Sequence, residues 1–150
     1  MSFKIRRIVT GHNAEGRSIL ASVSEIESQP GKMQTNVSVA NLWINETLPP
    51  PLHGPDPTTK PFPILPQDGG AVFRILELAP GTEPHMHKTT TIDYVVVTEG
   101  ELTMLLEDGT ALTMKPHDVM VQRATVHGWA NRSDKPCRFA TVVIDATANR

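Results

Sequence analysis

Residues 80–100 read PGTEPHMHKTTTIDYVVVTEG, and this stretch decides the fold. A Pro80-Gly81 turn precedes His85-Met86-His87, Asp93 opens an apolar β-branched run, and Glu99-Gly100 ends it. Valine runs favour extended chain, and proline–glycine pairs punctuate it. On a strand, residues two apart share a face, so both imidazoles could approach one point. An isolated His-x-His is more often a pair of hydrogen-bonded or exposed histidines, so its surroundings carry the weight.

The pattern stays regular on both sides. Residues Ala71–Leu78 read as a strand, as do 92–97, and Leu102–Leu106 ends at Asp108-Gly109, a strong hairpin signal. Strands follow at Ala111–Met114, Val119–Arg123, 126–131 and 138–145. Upstream, 5–10 and 17–23 flank a turn cluster and read as a hairpin; 24–35 reads as a loop and Val37–Asn45 as a strand. Prolines recur from 49 to 66, where neither helix nor central strand can run, so this is one extended loop over the surface. Short strands with closely spaced turns and no helical period indicate an all-β barrel or sandwich.

The chain of 150 residues fits one domain, 1–150, with N-terminal strands (1–48), a proline-rich loop (49–68) and a core (69–150). Its 39% apolar and 20% charged residues suit a folded protein. A net charge of −2 with no basic block gives no footprint for nucleic acid. No apolar segment reaches the length of a membrane span, no apolar stretch follows the basic N-terminus, and Cys137 has no disulfide partner. A cytoplasmic protein is expected, with Cys137 a small buried residue.

Further along, His127 completes a set of three imidazoles, with Asp93 as a carboxylate. Such donors suit Mn, Fe, Co, Ni, Cu or Zn rather than Ca or Mg. Trp129 and Asn131 share the parity of His127, and Val95 and Val97 that of Asp93, which makes an apolar cavity around a polar centre. Tyr94, Gln122 and Arg123 are further candidates for substrate contact, Arg123 through a bidentate grip on a carboxylate. His12, His53 and His117 fall in turns or the proline-rich loop and read as exposed.

Pro80-Gly81, His85-Met86-His87, Asp93 and Gly100 together resemble the first motif of the cupin (RmlC-like) superfamily, with six residues between Asp93 and Gly100. Gly109, the turn Arg123-Ala124-Thr125, His127 and Asn131 resemble the second. The likeness covers residues 71–146. The segments 87–94 and 121–133, with 6–12 near the start, look like small single cupins of bacteria and fungal polyketide gene clusters. This chain departs from the pattern in four ways. Gly81 lies closer to His85, Asp93 stands for Glu one residue late, and the second-motif turn lacks its proline and glycine. Asp118 also follows His117 where glycine is usual.

The resemblance implies a double-stranded β-helix, or jelly-roll, barrel holding one divalent transition metal on His85, His87 and His127. Asp93 is then a fourth ligand, a carboxylate orienting a ligand histidine, or a catalytic base. It further implies a small oxygenated or carboxylate-bearing substrate and a lyase, isomerase or decarboxylase reaction. The alternatives are an Fe-dependent dioxygenase and a non-catalytic small-molecule-binding cupin. A homodimer is also expected, paired through N-terminal strands such as 37–44.

Overall fold

Every run of β-branched and aliphatic residues expected to be extended forms a strand in the computed structural model, which describes residues 2–147. Met1 and residues 148–150, included in the expected domain, lie outside the described residues. The strands are β1 (Lys4–His12), β2 (Ser18–Glu27), β3 (Gln29–Pro30), β4 (Val37–Asn45), β5 (Ala71–Leu78) and β6 (Thr91–Glu99). They continue as β7 (Leu102–Leu106), β8 (Ala111–Met114), β9 (Val119–Arg123), β10 (His127–Ala130) and β11 (Cys137–Asp145). Part of the expected 24–35 loop is thus strand, because β2 runs on to Glu27 and β3 follows. The proline-rich loop carries one turn of 3-10 helix, Pro57–Thr59, capped by the Asp56 side chain on the Thr58 amide.

These strands make three open sheets: β1-β2, β10-β7-β8, and the six-stranded β3-β4-β5-β11-β6-β9. The expected jelly-roll barrel is therefore corrected, since no sheet closes on itself. A barrel needs an unbroken hydrogen-bond ladder around its circumference. The chain between β5 and β6 would have to carry it past β10, but Pro80 and Pro84 have no amide hydrogen to donate. Only one isolated bridge forms there, between His87 and His127. Strand β4, which includes the 37–44 segment expected to pair with a second subunit, pairs along its length with β5 on one edge and at only two residues with β3 on the other.

Strand alternation sends one face of the six-stranded sheet towards the three-stranded sheet. Leu78, Val95, Val97 and Phe139 from the first meet Leu102, Met104, Met114 and Trp129 from the second in one buried core. Cys137 is fully buried in the same core, and burial pushes its thiol up to about 12. The motif glycine Gly100 has φ 72°, and a Cβ there would lie 2.4 Å from the Pro136 carbonyl oxygen. Only glycine lets the β6–β7 turn sit against the start of β11.

On the other face, Ile5 and Ile26 of the hairpin pack on Ala40 and Leu42 of β4. The hairpin is tied to the proline-rich loop by Arg7, which donates to Asp56 and to Thr58 Oγ1. Among the described residues no helix is long and apolar enough to cross a membrane.

Candidate functional site

Two stretches of backbone bring the motifs together. The Gly81 amide donates to the Asn131 carbonyl at 2.9 Å, and the Asn131 amide to the Thr82 carbonyl at 3.1 Å. Five residues on, His87 and His127 exchange both backbone hydrogen bonds at 2.9 Å. The chain carrying His85 and His87 is thus irregular rather than a strand, but it lies alongside β10. Gly128 permits the approach, since a Cβ there would sit 2.7 Å from Met86 Sδ.

A cavity of about 360 Å³ opens beside this junction. Val95, Phe139 and Val143 form apolar wall, while His85, His87, Asp93, His127 and Trp129 line it as expected. The His87 and His127 rings are 4.5 Å apart, and the edge of His127 meets Trp129 at 5.3 Å. His87 Nδ1 donates to the His85 carbonyl at 2.8 Å, and His127 Nδ1 to the Thr125 carbonyl at 2.9 Å. A carbonyl can only accept, so the neutral form of each ring carries its proton on Nδ1 and leaves Nε2 bare. Burial holds the pKa of His127 below the usual histidine value, with a small further push from His87, although the Thr125 bond opposes it.

Asp93 is buried, and its Oδ1 has no hydrogen-bond partner among the described residues. Burial raises its pKa above the usual carboxylate range, against the opposing pull of a Thr91 hydrogen bond and of His87. Directly opposite on β9 stands Gln122, also buried, with Nε2 unpartnered. A buried polar group without a partner is costly, and such groups mark places where a ligand completes the bonding.

The donor chemistry suits a transition metal, but the positions do not. Among the described residues no group of three or more His, Cys, Asp or Glu side chains is arranged to hold a metal ion. The metal-binding expectation is therefore corrected. His85 is exposed at the rim, its ring stacked 5.8 Å from that of His87, and Asp93 is one methylene shorter than the usual glutamate.

The other expected substrate contacts separate. Tyr94 follows inward-facing Asp93 and so points to the opposite face, where it is 53% exposed. Arg123 follows buried Gln122 and is likewise exposed on that face. Asn131 is fully buried away from the cavity. Its Nδ2 donates to the Leu78 and Lys135 carbonyls, and its Oδ1 accepts from Ser133. Absent from the sequence reading were Asn41 and Arg74, which also line the cavity. Arg74 had a signal: a charge at the parity of Leu76 and Leu78, the core-facing side of β5.

A sequence profile of the cupin domain family matches residues 74–144. The cupin-domain-containing oxidoreductase fogC of Aspergillus ruber is 33% identical over 149 residues, covering 95% of this chain and 73% of that protein. The chain is a cupin. Phomopsin biosynthesis cluster protein D of Diaporthe leptostromiformis is 47% identical to this cupin over 76 residues, 51% of this chain and 39% of its own length. Among solved structures, the polyketide cyclase RemF of Streptomyces resistomycificus matches with a TM-score of 0.58 at 16% identity. That match covers 79% of this cupin and 73% of RemF, and is a likeness of fold alone. The relatives from fungal biosynthetic clusters agree with the resemblance read from the motifs.

Proposed function

We propose that this cupin is an enzyme that moves a proton on a small oxygenated or carboxylate-bearing molecule held in the cavity. The reaction is of the lyase, isomerase or decarboxylase type. The observation that carries this reading is Asp93 Oδ1, buried and unpartnered on a cavity-lining side chain beside two imidazoles with bare Nε2 atoms. A carboxylate made more basic by burial takes a proton readily when a substrate reaches it. Gln122 stands opposite Asp93 on β9 but is not among the residues lining the cavity, so no substrate contact is assigned to it. Trp129 walls the site, and His87 and His127 accept from substrate hydroxyls. Among the described residues no three-residue donor group forms, so the roles here are assigned to the chain's own side chains.

An oxidation of the same class of molecule is the second reading, favoured by the name oxidoreductase on the Aspergillus ruber relative. Purified protein, incubated in D2O with a panel of β-keto acids, 1,3-diketones and hydroxy acids, tests both. Carbon-bound deuterium or released CO2 is expected, falling by about 100-fold or more in Asp93→Asn. Oxygen uptake with stoichiometric iron would replace this reading by the dioxygenase. Calorimetric binding without turnover would leave a small-molecule-binding protein.

The expected homodimer is part of the same proposal. Tyr94, Val119 and Val121 on the outer sheet face, with Ile8 and Leu20 on the hairpin, are exposed apolar side chains that a second copy would cover. A monomer mass in sedimentation at micromolar concentration would exclude it.

A further inference from the structure

Arg74 stands on β5 level with Thr141 of β11 and Val95 of β6, so Asp93 lies two strands across and two residues along, about 12 Å away between backbones. Arg74 lines the cavity and is half-buried. Nε donates to Asn41 Oδ1 at 2.8 Å, while Nη1 and Nη2 donate to the Ile64 and Pro63 carbonyls of the proline-rich loop. The Phe62 ring lies 5.8 Å from the guanidinium carbon. All these partners are neutral. None of the ion pairs among the described residues includes Arg74, whereas Arg7 and Arg138 each have a carboxylate.

A guanidinium stays charged in a protein, and removing it from water without a counter-charge is unfavourable. Burial accordingly pulls the pKa of Arg74 down to about 10. Of its five N–H donors, three have partners among the described residues. A cation beside an apolar cavity, short of an anion and with donors to spare, is built to receive one from outside.

We propose that Arg74 binds the carboxylate of an acid with an apolar body, and that the body lies along the cavity towards Asp93. The loop residues 62–64 close over the bound carboxylate from the side, because their carbonyls and ring already hold the guanidinium. The direction of the ligand rests on the proposed enzyme reading; the carboxylate site at Arg74 does not. It replaces the grip expected of Arg123, which is on the other face.

Calorimetric titration with 2-naphthoate and its neutral counterpart 2-naphthamide tests the site without a known substrate. Wild-type protein should bind the naphthoate at least about tenfold tighter than the amide, a tenfold ratio being about 1.4 kcal/mol. Arg74→Met should remove that preference while leaving the amide within twofold, and Arg74→Lys should keep part of it. Asp93→Asn should keep the preference, so a failure of the catalytic reading leaves this result standing. Equal affinities in the wild type, no naphthoate binding at millimolar concentration, or a preference that survives Arg74→Met would overturn the proposal. So would a preference lost in His127→Gln but retained in Arg74→Met. Loss of both probes together in both Arg74 variants would assign the residue to holding the loop instead.

Discussion

Asp93 is a buried carboxylate on the cavity wall with one oxygen unpartnered among the described residues. Its folded pKa lies above the ordinary carboxylate value because burial penalises the charge. The ionised form therefore costs stability at high pH, and that cost fades as pH falls through the raised pKa. Asp93→Asn should be more stable than wild type near pH ~8, and the difference should shrink towards pH ~4. His127 has the opposite sign: its lowered pKa withdraws stability as pH falls from about 6.5 in both proteins, so it cancels from the comparison. Denaturant titrations across pH check this, and a difference that does not change with pH would remove the buried-charge account. Asn131 is a structural counterpart, holding two carbonyls and two Ser133 donors. Asn131→Ala should cost about 2–3 kcal/mol of unfolding free energy, since it leaves buried groups unbonded. Naphthoate binding by the folded variant should be unchanged.

Turns and connecting segments decide how the motif residues meet. The second-motif turn lacks glycine, and Ala124 takes the left-handed conformation there with φ 52°. That conformation costs an alanine about 1–2 kcal/mol. Ala124→Gly should relieve it and, after the added chain entropy of glycine, raise stability by about 0.5–1 kcal/mol in the same titrations. A loss of stability would show that the turn is not strained. The segment between β5 and β6 was legible as a turn and a histidine pair but not as irregular chain. Strand alternation puts residues two apart on one face, and here proline removed the donors that would have made a strand. Both rings still reach the cavity because the His87–His127 bridge holds the segment against β10.

Across the whole molecule, β11 is paired along its length with β5 and β6, whereas the β1-β2 hairpin pairs with no other strand among the described residues. Amide exchange should accordingly be slowest in β11 and faster in the hairpin, as mass spectrometry of deuterated fragments would show. Uniform protection would mean the hairpin is held by contacts beyond this chain, such as the proposed second copy. The strands were legible because valine and isoleucine runs and Asx-Gly or Pro-Gly turns act over a few residues. His87, Asp93, His127 and Trp129 were legible at the cavity because their spacing fixed the parity that points them inward. Three matters were decided only by tertiary structure. The sheets stay open because closure depends on a ladder between segments far apart in sequence. His85 sits at the rim because its segment is held from β10 rather than by its own pleat. Arg74 reaches the cavity with only neutral partners because the proline-rich loop folds back over β5. By itself, the sequence determined which residues extend, where they turn and which side chains share a face. Which sheets join, and which charges are left without partners, depended on long-range contacts that no local pattern encodes.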